Sequence, residues 1–186
     1  MLRIVFMRHS EPDYSLVRKR KYIGHGIDLA QLTENGIQIA ENASRDNRLN
    51  NAEIIVSSPY TRALQTAAII SKNRQLDIKI EVDLHEWMPD LSFQYRSKEE
   101  ASKANRLCIE CKGVCPDDSE MKFENLDDVF IRAKNALLRY NEYSKIIVVT
   151  HGIVMRRFSF APDIPFCGIS EIDFDESFPC TEFKTY

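Results

Sequence analysis

Short apolar runs separated by longer mixed segments set the pattern of this chain. Leu2-Arg3-Ile4-Val5-Phe6-Met7, Glu53-Ile54-Ile55-Val56-Ser57, Asp77-Ile78-Lys79-Ile80-Glu81-Val82 and Ile146-Ile147-Val148-Val149-Thr150 stand out against their surroundings. Their length and β-branched content predict strands near Leu2–Met7, Glu53–Ser57, Ile78–Val82 and Ile146–Thr150. Helical patterns lie between them, and strands that alternate with helices build a mostly parallel sheet covered on both faces. The expected fold class is therefore α/β, a three-layer α/β/α sandwich.

The helices have punctuation. Thr33 is placed to cap the helix that follows it, and Leu32 with Ile37 has the spacing of a hydrophobic staple. After the second strand, Ser58-Pro59-Tyr60-Thr61-Arg62 predicts a helix with Ser58 as N-cap and Pro59 at the first position. Leu126, Val129, Phe130, Ala133, Leu137 and Tyr140 recur at helical spacing, which predicts an amphipathic, core-facing helix over about 124–143. Ile169–Phe174 and Thr181–Thr185 read as two further short strands, with Asp175, Glu176, Ser177 and Pro179 in the turn between. There is no internal repeat and no low-complexity segment.

Histidines end two of the apolar strands. His9 follows Arg8 at the end of the first, and His151 follows Thr150 at the end of the fourth; the chain has only four histidines, so half of them occupy such positions. Ligands of open α/β sheets bind outside the carboxyl ends of the strands, where two imidazoles can meet. Arg62 falls in the first turn of its helix, beside unpaired backbone N–H groups and the positive end of the helix dipole. A cation there costs stability unless an anion binds.

Composition sets broad limits. With 186 residues, 44% of them hydrophobic, the chain can bury one core, and a single domain over 1–186 is the expectation. A net charge of −3 argues against a general nucleic-acid binder, so attraction to phosphate must be local. No stretch has the length of a membrane span, and the first residues predict a strand in place of a secretion signal, from which a cytoplasmic location is expected. Five cysteines without such a signal point to reduced thiols.

Arg8-His9, Leu32-Thr33-Glu34-Asn35-Gly36, Ser57-Ser58-Pro59-Tyr60-Thr61-Arg62-Ala63-Leu64-Gln65-Thr66-Ala67 and Thr150-His151-Gly152, in that order, resemble the histidine phosphatase superfamily, the phosphoglycerate mutase-like proteins. The family usually has glycine after the Arg-His pair, where this chain has Ser10. If that position needs positive φ, Ser10 is strained; if not, its hydroxyl is one more donor to a phosphate oxygen.

Phosphoryl transfer needs a nucleophile, charge neutralisation on the non-bridging oxygens and a proton for the leaving group. His9 is the expected nucleophile, and Arg8 and Arg62 suit bidentate phosphate contacts. The resemblance implies a phosphohistidine on His9 that water hydrolyses, with His151 donating a hydrogen bond to the phosphoryl group. Glu86, after the third strand in Leu84-His85-Glu86-Trp87, is the expected general acid; the resemblance supports it, Trp87 is placed to help desolvate it, and Asp83 is the rival.

The expected substrate-binding set is Arg8, Arg62, His151 and Ser10. No cofactor and no metal are expected. The expected partner is a small phosphorylated metabolite, with neither nucleic acid nor membrane. Hydrolysis is favoured over a mutase reaction because the chain is short for a mutase. A binding relative without turnover is the third reading, to which Ser10 gives weight.

The segment at about 88–123 carries no familiar pattern and resembles the family's cap insertion over the site. It holds Cys108, Cys111 and Cys115 at ligand-like spacing, but no fourth Cys or His lies nearby in sequence to close a structural zinc site. Arg18-Lys19-Arg20-Lys21 is the one dense basic run: either a solvated face or a rim that steers anions toward Arg8 and Arg62. Tyr22 and His25, just beyond it, are placed to line a pocket.

Overall fold

The structure is a computed structural model that describes residues 1–184. Five strands form one sheet in the order β5 (Ile78–Ile80), β4 (Ile54–Ser57), β6 (Lys145–Thr150), β1 (Leu2–Arg8), β7 (Ile169–Phe174). Only β7 runs antiparallel, as the edge partner of β1. Two short strands, β2 (Pro12–Asp13) and β3 (Gln31–Leu32), pair in a separate ribbon.

Alternation along the central strands divides the core in two. Ile4 and Phe6 of β1, Ile54 and Val56 of β4, and Ile146 and Val148 of β6 face one side, packed with Val129, Ala133 and Leu137 of α5 (Leu126–Leu138) and Val154, Met155 and Phe158 of α6 (Gly152–Phe158). Val5, Met7, Ile55, Ile147 and Val149 face the other, against Ala40 of α2 (Glu34–Ala43) and Ala63, Ala67 and Ile70 of α3 (Thr61–Arg74). Both faces of the strands are buried, which is why they read as continuous apolar runs and not as alternating ones. The result is a helix layer on each side of a mostly parallel sheet. Among the described residues, no helix is long and apolar enough to cross a membrane.

Thr33 caps α2 by accepting from the Gly36 amide at 2.8 Å, as its position predicts. Three expectations need correction. α3 starts at Thr61 with Tyr60 as its N-cap residue, so Ser58 is not the cap; its hydroxyl bonds a histidine ring instead. The segment 88–123 contains a helix, α4 (Lys98–Glu110), which the charge-rich sequence did not suggest; Ser97 caps it by accepting from the Glu100 amide at 3.2 Å. The second predicted C-terminal strand is absent over Thr181–Lys184, and Thr185 lies outside the described residues. The basic run spans the end of the short helix α1 (Ser15–Lys19).

Candidate active site

Strand register brings the two histidines together. β1 and β6 are parallel neighbours with Arg8 opposite Thr150, so His9 and His151 leave adjacent strands at the same level. The His9 amide donates to the Thr150 carbonyl at 2.8 Å, and the ring centroids lie 5.1 Å apart. β4 ends on the other side of β6, where the Ser58 amide donates to the Val149 carbonyl at 2.9 Å. β4 then turns into α3 and delivers Arg62 beneath both rings.

Ring contacts fix the proton positions. His9 Nδ1 lies 2.7 Å from the Ser10 carbonyl, an acceptor only, so Nδ1 carries the proton. Its Nε2 accepts from Arg62 Nε at 3.2 Å and therefore presents a lone pair. His151 Nε2 lies 2.7 Å from the Ser58 hydroxyl, while its Nδ1 lies 3.4 Å from Arg62 Nη2. Burial, then the Arg62 charge, holds both imidazoles well below the ordinary histidine pKa, so both are neutral near pH 7.

Arg62 is 5% exposed, and its charge is met by a carboxylate that no sequence motif marks. Asp28, in the 3₁₀ turn Gly24–Leu29, accepts from Arg62 Nη1 at 2.8 Å. His25 Nδ1 approaches the other Asp28 oxygen at 3.2 Å. Nothing in the spacing of Asp28 marks it, because the turn that aims it has no sequence periodicity.

Arg8 leaves β1 with its guanidinium 4.7 Å from the Phe166 ring centroid and donates from Nη1 to the Ile164 carbonyl at 2.5 Å. Its Nε is buried without a partner among the described residues. An orphaned cationic donor is costly unless an anion satisfies it. Burial lowers the Arg8 pKa and the Glu86 charge opposes this, which puts carboxylate and guanidinium in the same pocket.

Glu86 follows the 3₁₀ turn Val82–Leu84. One carboxyl oxygen accepts from the Trp87 amide at 2.9 Å and the other approaches the Ile153 amide at 3.5 Å. Burial raises its pKa; the backbone donors, Arg62 and Arg8 only partly offset this. The Trp87 ring itself packs away from the carboxyl, in the core against Phe123, with its N–H on the Glu124 carbonyl at 2.6 Å. Asp83, the rival carboxylate, has a 44% exposed side chain and lies 3.9 Å from Arg139, so it is turned away from the histidines.

The Glu86 loop is held from below by Arg132 of α5. Its guanidinium donates to the carbonyls of Asp83 at 2.5 Å and His85 at 2.9 Å, and to both Glu124 oxygens at 2.6 and 3.0 Å. Glu124 in turn accepts from the Met88 amide at 3.2 Å. Arg132 is a largely buried cation between Val129 and Ala136 on α5, and nothing in its spacing shows that it holds the Glu86 loop.

Ser10 takes neither of its two expected forms. It is absent from the positive-φ residues, so it is not strained. Its buried hydroxyl donates to the Gly36 carbonyl at 2.6 Å and is committed there, which corrects the expectation that it donates to phosphate. Its amide donates to Thr66 Oγ1 at 3.0 Å, and Thr66 donates to the Arg62 carbonyl at 2.7 Å, so Ser10 ties β1 to α3.

Tyr22 accepts from Arg20 at 3.2 Å, and His25 lies beside Tyr60 and Phe93. The five cysteines are free; burial pushes the Cys108 thiol up to about 11. Among the described residues no group of three or more His, Cys, Asp or Glu side chains is placed to hold a metal ion.

The family model of the histidine phosphatase superfamily, branch 1, matches residues 4–161, and the chain belongs to that superfamily. Solved structures agree on the fold. Bacillus stearothermophilus YhfR superposes with a TM-score of 0.69 at 22% identity, covering 98% of this chain and 95% of that one. Mycobacterial glucosyl-3-phosphoglycerate phosphatase in complex with inorganic phosphate gives 0.70 at 17%, covering 100% and 97%. A putative alpha-ribazole-5'-P phosphatase from Escherichia coli K-12 gives 0.67 at 20%, covering 99% and 96%. No curated protein matches the sequence.

Proposed function

We propose that the protein is a phosphatase that hydrolyses a small phosphomonoester through a phosphohistidine on His9. The observation that carries this reading is the His9 ring: Nδ1–H is pinned to the Ser10 carbonyl, so Nε2 holds its lone pair toward the Arg62 guanidinium. A neutral, oriented imidazole is a competent nucleophile, and the cation beside it is where phosphoryl oxygens belong.

In the first step Nε2 attacks phosphorus and the bond to the leaving oxygen breaks. Arg8 and Arg62 neutralise the equatorial oxygens, and the Arg8 Nε donor gains its partner. The Glu86 proton passes to the leaving alkoxide; burial raises the pKa of this carboxyl, which favours the protonated form that a donor requires. In the second step the Glu86 carboxylate takes a proton from water, whose oxygen attacks the phosphohistidine and frees the imidazole. When a phosphoryl oxygen takes over the Arg62 Nη2 donor, a hydrogen bond donated by the Ser58 hydroxyl to His151 Nε2 leaves the ring proton on Nδ1, from which His151 donates to the phosphoryl group. Ser58 is thus a positioning residue for His151.

Similar folds in proteins named as phosphatases of glucosyl-3-phosphoglycerate and alpha-ribazole-5'-P support hydrolysis of a small phosphorylated metabolite. Ser10, unstrained and bonded away from the pocket, supports turnover over a binding relative without it. The 88–123 segment acts as a cap within one domain, and the protein works in the cytoplasm. The test is phosphate release from a panel of metabolite phosphates, with His9→Ala as control; turnover by the wild type alone supports the reading, and none by either rejects it.

A further inference from the structure

We propose that Tyr60, His25 and Phe93 form a leaving-group wall that selects phosphomonoesters whose alcohol carries an apolar ring. The inference rests on the phosphatase reading of the site and names its substrate class.

Rings continue outward from the histidine pair. The Tyr60 centroid is 5.2 Å from that of His151, edge-on, and 6.1 Å from that of His85, the neighbour of Glu86. Tyr60 therefore stands beside the proton donor, where a leaving group departs. His25 lies 5.8 Å beyond Tyr60, and Phe93 lies 4.3 Å beyond His25. Tyr60 Oη and one edge of His25 are engaged: Tyr60 Oη and an Asp28 oxygen each lie 3.2 Å from His25 Nδ1, and Asp28 holds Arg62. His25 and Phe93 are both well exposed and present ring surface beyond Tyr60.

Phe93 is placed there at a cost. It is 41% exposed and takes a left-handed conformation, φ +59°, unusual for a bulky residue. A tight turn enforces it: the buried Asp90 carboxylate accepts from the Ser92 amide and hydroxyl and from the Gln94 amide, at 2.7 to 2.9 Å. Gly24 fits this turn to the rest of the mouth. A Cβ at Gly24 would stand 2.1 Å from the Phe93 carbonyl oxygen, and the Gly24 amide donates to the Tyr95 carbonyl at 2.9 Å. A large aromatic held in a strained backbone with much of its ring in water gains little from its own fold, and such strain is characteristic of ligand clamps. A ring-bearing alcohol would cover it, with offset or edge-on stacking on His25 and Phe93.

The opposite preference also has a source, since the Arg18 guanidinium lies 5.4 Å from the Tyr14 ring and would favour an acidic leaving group. The test uses two alcohols of similar acidity, so that stacking and not leaving-group chemistry separates them. On the full chain, kcat/KM is measured for 2-phenylethyl phosphate, ethyl phosphate and 3-phosphoglycerate, in wild type, Phe93→Ala and Phe93→Trp. The wild type should favour phenylethyl over ethyl by about tenfold, mainly through KM. Phe93→Ala should erase most of that ratio and Phe93→Trp should keep it.

A ratio near one, a ratio untouched by Phe93→Ala, or a preference for 3-phosphoglycerate overturns the wall. Calorimetric binding of 2-phenylethylphosphonate against ethylphosphonate reads the same wall without turnover. Absence of turnover on all three esters, with the phosphonate preference intact, would reject the phosphatase reading and leave the wall standing.

Discussion

Arg62 Nε donates to His9 Nε2 at 3.2 Å, so the atom that would attack phosphorus is already paired with the cation that would hold the phosphoryl oxygens. A lone pair facing a guanidinium is a poor place for a proton, and burial reinforces this. The neutral state of His9 is therefore imposed by the fold.

Stability should show this at acid pH. His9 and His151 have depressed pKa values in the folded protein, so below the unfolded value near 6.5 the unfolded chain binds protons that the native state does not. Folding stability is fully present above that pH and falls as pH drops, by up to about 3 kcal/mol per unit for the pair. Urea melts between pH 7 and pH 5 measure it, and His9→Gln should flatten the slope by about half.

Glu86 sets the other limb. Its raised pKa keeps the carboxyl protonated to higher pH than an ordinary glutamate, so activity on alkyl phosphates should be lost as pH rises through that raised value. Glu86→Gln should slow an alkyl phosphate by about 10²–10⁴-fold and a nitrophenyl phosphate much less, because nitrophenolate leaves without a proton. Equal losses on both would assign Glu86 to positioning only.

Asp28 should matter through Arg62. Removing a partner from a buried ion pair leaves an uncompensated charge, with a typical cost of about 3–5 kcal/mol. Asp28→Asn should lower the melting temperature. Inorganic phosphate should then stabilise the variant more than the wild type, since a bound anion replaces the lost charge. Scanning calorimetry with and without phosphate checks this; equal shifts in both proteins would uncouple Asp28 from the site.

Arg132 should act on Glu86 alone. Arg132→Lys keeps the charge but cannot span the Asp83 and His85 carbonyls and both Glu124 oxygens together. The variant should lose activity on an alkyl phosphate more than on a nitrophenyl phosphate, as Glu86→Gln does. A merely structural role would lower both alike.

What could be read from the sequence follows the physics of periodicity. β1, β4 and β6 are buried on both faces and bounded by polar residues, so their apolar runs and the strand-end positions of His9 and His151 were visible. The edge strand β5 ends at Ile80, earlier than its pattern implies, because its partner β4 ends at Ser57 opposite Ile80 and the chain enters the 3₁₀ turn at Val82. α4 was hidden by its charges, although Ser97 and Glu100 have the spacing of a capping box. Asp28, Ser58 and Arg132 act on site residues 34, 93 and 46 positions away in sequence, and such pairings leave no local trace.

The central claim is a covalent bond between phosphorus and His9 Nε2. Rapid quench of the enzyme with ³²P-labelled phosphomonoester, followed by peptide mapping, tests it directly. The account predicts an acid-labile, base-stable label on the peptide containing His9, and its loss in His9→Ala together with a fall in turnover of at least about 10³-fold. Label on another residue, or substantial turnover by His9→Ala, would contradict it.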